Sequence, residues 1–310
     1  MICRMQTLQK LEKSVDAGNY YEAQQMYKTV YARYVAAKNY GAAVDLLQSG
    51  ASVQLRHAQV TCGVELGNLL VETLGKANMK YDTTVVERIK SVVLSFPRAD
   101  MSVSDRKSMA KTSEAYLAAK TRVEGFYTFM RAAIRWCIEA GGPRRGPPEL
   151  HDILAEYMWT QYPELELNKA SPHFVRSGQP EKYAKALIEY MNEWDREEMD
   201  LTLARSVLLY LTLGNLKDAN RLVNEVRRGL GEKNYPNSPL MQFIKYLLLT
   251  LERDALPLLH SLRESYKDHL GRDSTLIEYL DAIAEKFYGV QHKNGLQRML
   301  GDFMKMFASE

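Results

Sequence analysis

The chain has 310 residues, 46% of them apolar, 10% aromatic and 25% charged. That length exceeds what one average domain needs, and the composition excludes disordered, collagen-like and disulfide-scaffold classes. The net charge of +3 is too small for a dedicated nucleic-acid binder. It is unevenly spread: residues 1–150 hold 21 Lys and Arg against 14 Asp and Glu, whereas residues 151–310 hold 20 against 24. The two halves therefore read as meeting different partners, unless both are plain solvated helix surfaces.

At the N-terminus, residues 1–6 (Met-Ile-Cys-Arg-Met-Gln) show neither the basic region nor the apolar run of a secretory signal. Cys3, Cys62 and Cys137 are odd in number and lack any C-x-x-C pair, which argues for a reducing compartment and against a zinc ribbon. The longest apolar runs, such as Val207 to Leu213 and Leu247 to Leu251, fall far short of the ~20 residues a bilayer span needs. A cytosolic protein is expected.

Helical periodicity dominates. Between Tyr20 and Ala37, the residues Ala23, Met26, Tyr27, Val30, Tyr31 and Tyr34 recur at three- and four-residue spacing and predict a core stripe. The opposite face carries Tyr21, Gln25, Lys28 and Ala32, flanked by Arg33 and Lys38. An exposed tyrosine beside basic residues suits a protein-binding face, unless a neighbouring hairpin covers Tyr21. Phe96-Pro97 ends a helix.

The strongest break is Gly141-Gly142-Pro143-Arg144-Arg145-Gly146-Pro147-Pro148, either a domain boundary or a long turn between stacked hairpins. A turn with a modest kink is the favoured reading. It separates two hairpin halves, 1–140 and 149–310, of one continuous solenoid. Farther on, Ser238-Pro239 caps a helix whose stripe is Leu240, Phe243, Ile244, Leu247, Leu248 and Leu251. Met241, Tyr246 and Leu249 lie off that stripe, so the helix is expected to be covered on more than one side, by its own chain or by a partner. Leu296, Met299, Leu300, Phe303 and Phe307 predict an amphipathic capping helix over 295–310.

Gly18-Asn19-Tyr20-Tyr21-Glu22-Ala23, Lys38-Asn39-Tyr40-Gly41-Ala42-Ala43 and Gly214-Asn215-Leu216-Lys217-Asp218-Ala219 share a polar turn, then a large side chain, then Ala three residues on. This is the helix start of tetratricopeptide-like hairpins, without a strict period. The expected class is therefore all-α, an irregular α-solenoid of tetratricopeptide-like helical hairpins. No phosphate-binding loop, nucleophile elbow or H-E-x-x-H motif occurs, and His57, His151, His173, His260, His269 and His292 are scattered. No catalytic, cofactor-binding or metal-ligating residue is expected, and the chain is not expected to be an enzyme.

Several blocks coincide with one family: residues 19–27 (Asn-Tyr-Tyr-Glu-Ala-Gln-Gln-Met-Tyr), 32–35 (Ala-Arg-Tyr-Val), 46–51 (Leu-Leu-Gln-Ser-Gly-Ala), 142–151, 172–176 (Pro-His-Phe-Val-Arg), 253–258 and 287–291. They resemble the fourth factor of the guided-entry pathway for tail-anchored proteins, across essentially the whole chain. The resemblance implies a non-enzymatic cytosolic α-solenoid scaffold. It implies that the N-terminal half binds the pathway's targeting ATPase through Tyr21, Gln25, Lys28, Arg33 and Lys38. Glu65 stands where the family often has an acidic residue implicated in regulating that ATPase. The C-terminal half would bind a ubiquitin-like-domain protein through Tyr235, Leu240, Phe243, Tyr246 and Leu247, and in animals a larger ubiquitin-like chaperone also docks. Some relatives clamp the partner with a β-hairpin, whereas the linker at 231–237 is short here. No nucleic acid and no direct membrane insertion are implied. A rival reading is a solenoid adaptor of the proteasome-lid or signalosome type. Such adaptors usually end in a winged-helix module with strands, while residues 276–310 show helical spacing.

Overall fold

The polar turns between helices prove to be one backbone device. At Gly18, Lys38 and Gly214 the chain turns left-handed, with φ of +85°, +55° and +74°. The following Asn N–H reaches back five residues, Asn39 to the Tyr34 carbonyl at 2.8 Å and Asn215 to the Tyr210 carbonyl at 3.1 Å. That bond satisfies a carbonyl left open at the helix end. The same residue caps the next helix: Asn39 accepts from the Ala42 N–H at 3.3 Å and Asn215 from the Asp218 N–H at 3.1 Å. Ala23, Ala43 and Ala219 are then fully buried, the small side chains the repeat implied. Ala58, Asn78 and Asp254 turn in the same way, at φ +59°, +48° and +52°, so a turn falls at 18, 38, 58 and 78.

The computed structural model describes residues 11, 13–162, 167–192 and 196–290; the predicted helix over 295–310 lies outside them. Among the described residues there is no strand. The chain forms two compact units, residues 1–178 and 179–310. The first holds α1 (Tyr20–Ala36), α2 (Tyr40–Arg56), α3 (Val60–Lys76), α4 (Thr83–Val93), α5 (Val103–Ser108), α6 (Glu114–Glu139), α7 (Pro148–Gln161) and α8 (Leu167–Ser177). The second holds α9 (Pro180–Met191), α10 (Arg196–Thr212), α11 (Leu216–Leu230), α12 (Pro239–Glu252), α13 (Leu256–Ser265), α14 (Lys267–Leu270) and α15 (Ser274–Tyr288). Residues 141–147 are a turn inside the first unit, across which α6 packs on α7; the compact units divide at 178/179 rather than at this turn. Gly141 and Gly146 are left-handed there. A Cβ on Gly146 would also meet Ile134 at 2.6 Å and His151 at 2.9 Å, so this position admits no side chain.

In the first unit α1 packs on α2 and α3, α2 on α3 and α4, and α3 on α6. Glycines at the crossings make room for rings. A Cβ on Gly50 of α2 would lie 2.7 Å from the Tyr27 ring of α1, and one on Gly67 of α3 would lie 3.0 Å from Phe129 of α6. The core continues in the stacked rings of Phe126 and Tyr157, 3.7 Å apart at 9°, with Phe96 edge-on to Phe126. The Tyr157 hydroxyl donates to the Pro97 carbonyl at 2.7 Å. The α1 stripe needs one correction: Ala23 and Tyr27 are buried, but Met26 is 41% exposed and Gln24 takes the buried position. The buried arc is rotated towards Gln24, whose side chain donates to Glu65 on α3.

In the second unit α10 is central, packing on α9, α11, α12 and α15. Its Leu203, Ala204, Val207, Leu208, Tyr210 and Leu211 are fully buried. Two ion pairs fasten α10 to the start of α15, Arg205 with Asp273 at 2.5 Å and Arg272 with Asp200 at 2.8 Å. Ser238 caps α12 by accepting from the Met241 N–H at 3.3 Å, with Pro239 in the first turn.

Two histidines the sequence leaves apart meet between α7 and α8. His151 and His173 lie ring on ring with their Nδ1 atoms 2.8 Å apart, and His151 Nε2 sits 2.8 Å from the Arg145 carbonyl. A carbonyl cannot donate, so His151 carries its proton on Nε2. Its Nδ1 accepts from His173, whose Nε2 is left an acceptor. Burial and then the neighbouring His151 and Arg176 push His173 down to about 3, and burial lowers His151 as well.

Two outcomes follow from this packing. Ala58 is exposed and left-handed, so Ala58→Gly removes backbone strain and raises stability by about 1 kcal/mol. A denaturant midpoint that falls or stays put contradicts this. The unfolded chain takes up a proton at His173 below the ordinary histidine pKa of about 6.5 while the folded chain does not. This stabilisation is therefore complete above about pH 6.5 and is lost as pH falls toward 3, by about 1 kcal/mol per pH unit. His173→Asn keeps a donor for His151 and flattens the dependence; equal slopes for both proteins contradict a His173 that burial keeps free of its second proton.

Candidate functional sites

The first candidate lies on α1 and α3. Tyr21 is 69% exposed, uncovered by any hairpin among the described residues of its unit, and Gln25, Arg33 and Lys38 are exposed beside it. Lys28 donates to Glu65 Oε1 at 2.5 Å, and Gln24 donates to the other carboxylate oxygen. The carboxylate of α3 is thereby held against the α1 face from two sides. An exposed pair of this kind adds only about 0–1 kcal/mol to stability, so its effect is placement. Cys62, one turn from Glu65, has its thiol pushed up by burial and by the Glu65 charge. Of the six residues expected here, Lys28 and Glu65 are joined directly, while Tyr21, Gln25, Arg33 and Lys38 remain open. Gln24 was missed in sequence; its signal was a polar side chain next to the stripe residue Ala23.

The second candidate is a groove of about 620 Å³ lined by α11, residues 232–237 and α12. The linker at 231–238 is a run of turns without strands, closed by the Tyr235 N–H donating to the Gly231 carbonyl at 3.0 Å. Tyr235 packs beneath the Arg227 guanidinium, 4.6 Å from ring centre, and its phenol is pushed up chiefly by burial. Along α12, Tyr246 and Leu249 are 46% and 36% exposed, and both line the groove. Leu240, Phe243 and Leu247, expected at an interface, are instead 0% exposed. They belong to the core stripe of α12 and present no side chain to a partner. The apolar groups off that stripe divide: Met241 is buried at 6%, and Tyr246 and Leu249 face out. Arg227 could not be found from sequence, because only the fold of the linker brings Tyr235 to it.

Among the described residues, no group of three or more His, Cys, Asp or Glu is arranged to hold a metal ion. None of the helices there is long and apolar enough to cross a membrane.

Comparison with known proteins accounts for nearly the whole chain. A family model described as Golgi to ER traffic protein 4 matches residues 37–307. Protein GET4 of Arabidopsis thaliana is 46% identical over 306 residues, covering 96% of this chain and 94% of that one. The Golgi to ER traffic protein 4 homolog of Homo sapiens is 31% identical over 288 residues, covering 92% and 80%. A crystal structure of C. therm. Get4 superposes with a TM-score of 0.74 at 25% identity, covering 97% of this chain and 95% of that one. The all-helical fold, the repeated hairpin turns and this match together place the chain in the Golgi to ER traffic protein 4 family.

Proposed function

We propose that the chain is a non-enzymatic cytosolic scaffold in the delivery of tail-anchored membrane proteins to the endoplasmic reticulum. In this reading the Tyr21 face of the first unit binds the pathway's targeting ATPase, and the α11–α12 groove of the second binds a ubiquitin-like-domain protein. A larger ubiquitin-like chaperone is a further partner of the second unit in organisms that have one. The observation that carries the reading is that each compact unit of a chain in this family has its own open surface, with large aromatic groups uncovered in both. Exposed tyrosines are typical binding anchors. The excess of cations over residues 1–150 favours an acidic surface on the ATPase and makes that contact sensitive to salt. Holding two partners on one support raises their local concentration, which speeds transfer without any chemical step.

The two surfaces are separable by mutation. Tyr21→Ala with Arg33→Glu alters two exposed side chains and leaves the Lys28–Glu65 pair intact. It lowers affinity for the ATPase at least about tenfold, the loss of one good anchor, and leaves the ubiquitin-like protein bound. Tyr246→Ala with Leu249→Ser does the reverse. Calorimetry of both variants with both partners checks this; loss of both partners, or of neither, contradicts the assignment.

A further inference from the structure

Two of the sequence blocks, 142–151 and 172–176, take no part in the surfaces above, yet the fold brings them together at a third place. A cleft of about 590 Å³ opens in the first unit between α6, α7 and α8. This is the size range of sites that take a small molecule or a short peptide. Its floor and walls are largely apolar, with Tyr127 from α6, Met158 from α7 and Pro172 from α8. The cleft is also cationic. Arg131 and Lys169 are exposed at its rim, Arg176 is half-buried, and Glu124 is the one carboxylate among the described residues lining it.

The cations are held by different neighbours. Lys169 stands over the Tyr162 ring, 4.8 Å from its centre, and donates to the Tyr162 hydroxyl at 3.2 Å. Arg176 donates to the Pro172 carbonyl at 2.5 Å, a bond within α8 that orients its guanidinium without neutralising it. No ion pair to Arg131 or Arg176 is formed among the described residues. The wall supplies acceptors as well. The tautomer fixed by the Arg145 carbonyl leaves Nε2 of His173 with an open lone pair, and Tyr127 meets the same imidazole edge-on at 6.1 Å. Pro172 inside α8 has no N–H and removes the helical donor for the Asn168 carbonyl, which belongs to another residue lining the cleft.

An apolar floor, an excess of cations at the rim and acceptors for N–H groups match a peptide in three respects. A large apolar side chain fills the floor, neighbouring carboxylates meet the arginines, and the peptide backbone donates to the wall. We propose that this cleft is a docking site for an acidic peptide segment of a protein partner, anchored by one aromatic or long aliphatic side chain. The site is distinct in residues from both surfaces assigned above and stands whether or not those assignments hold.

The test is selection from a random peptide library displayed on phage, using the full chain as bait and Arg131→Glu/Lys169→Glu as counter-bait. Both substituted residues are exposed, and an unchanged melting curve checks that the fold is retained. The charge-neutral Arg131→Gln/Lys169→Gln chain serves as a second variant. Enriched peptides are expected to carry Asp or Glu beside an aromatic or Leu. A synthetic copy should bind the charge-reversed chain about tenfold or more weakly, with the neutral variant in between. The same peptide with Asn and Gln replacing its acids should bind the natural chain more weakly by a similar factor. Enrichment of peptides without acidic residues overturns the proposal, as do equal affinity for all three chains and failure to enrich any sequence.

Discussion

The architecture depends on how each helix ends. A helix leaves carbonyls without partners at its C-terminus, and a hairpin that turns at once into the next helix has little chain in which to satisfy them. Here one left-handed residue and the N–H that follows it close the end, as at Lys38-Asn39 and Gly214-Asn215. The next helix therefore starts within two residues and must lie close against the one before. That proximity is what demands Ala23, Ala43 and Ala219 at the contact, and Gly50 and Gly67 where rings cross. Tight turns and small side chains are one constraint seen at two places.

Close packing of this kind decides which groups are left for partners. In α1 the buried arc takes Ala23, Gln24 and Tyr27, which turns Tyr21 outward and brings Lys28 within reach of Glu65. In α12 the arc takes Leu240, Phe243 and Leu247, and Tyr246 and Leu249 remain for the groove. The exposed aromatic groups are thus by-products of helix periodicity, placed by the core they are excluded from. Within the first unit the same logic sets His151 and His173 against each other and opens a cationic cleft beside them.

Much of this was legible in the residues. Helical spacing revealed the fold class, and the Gly-Asn and Lys-Asn turns revealed the hairpin joints, because glycine and asparagine carry the left-handed and capping roles that the backbone requires. Ala58-Gln59 and Asp254-Ala255 make the same turn with residues that give no such signal, since packing of the flanking helices overrides local preference there. The period of twenty residues from 18 to 78 was hidden for that reason. Spacing also misjudged single positions: it placed Met26 in the core and passed over Gln24, whose partner Glu65 lies 41 residues away. Leu240, Phe243 and Leu247 are buried as their stripe requires, and Tyr246 and Leu249 are the groups of that helix left exposed. Glu65 entered only through family resemblance, and Arg227 over Tyr235 through neither route.

The central claim is that one chain carries two partners at once on separate units. Its most direct measurement is the mass of the assembly formed when the full chain is mixed with both the targeting ATPase and the ubiquitin-like-domain protein, read by sedimentation or light scattering. The account predicts a single species containing all three proteins. Two binary complexes that displace one another, with no ternary species at saturating concentrations, would contradict it.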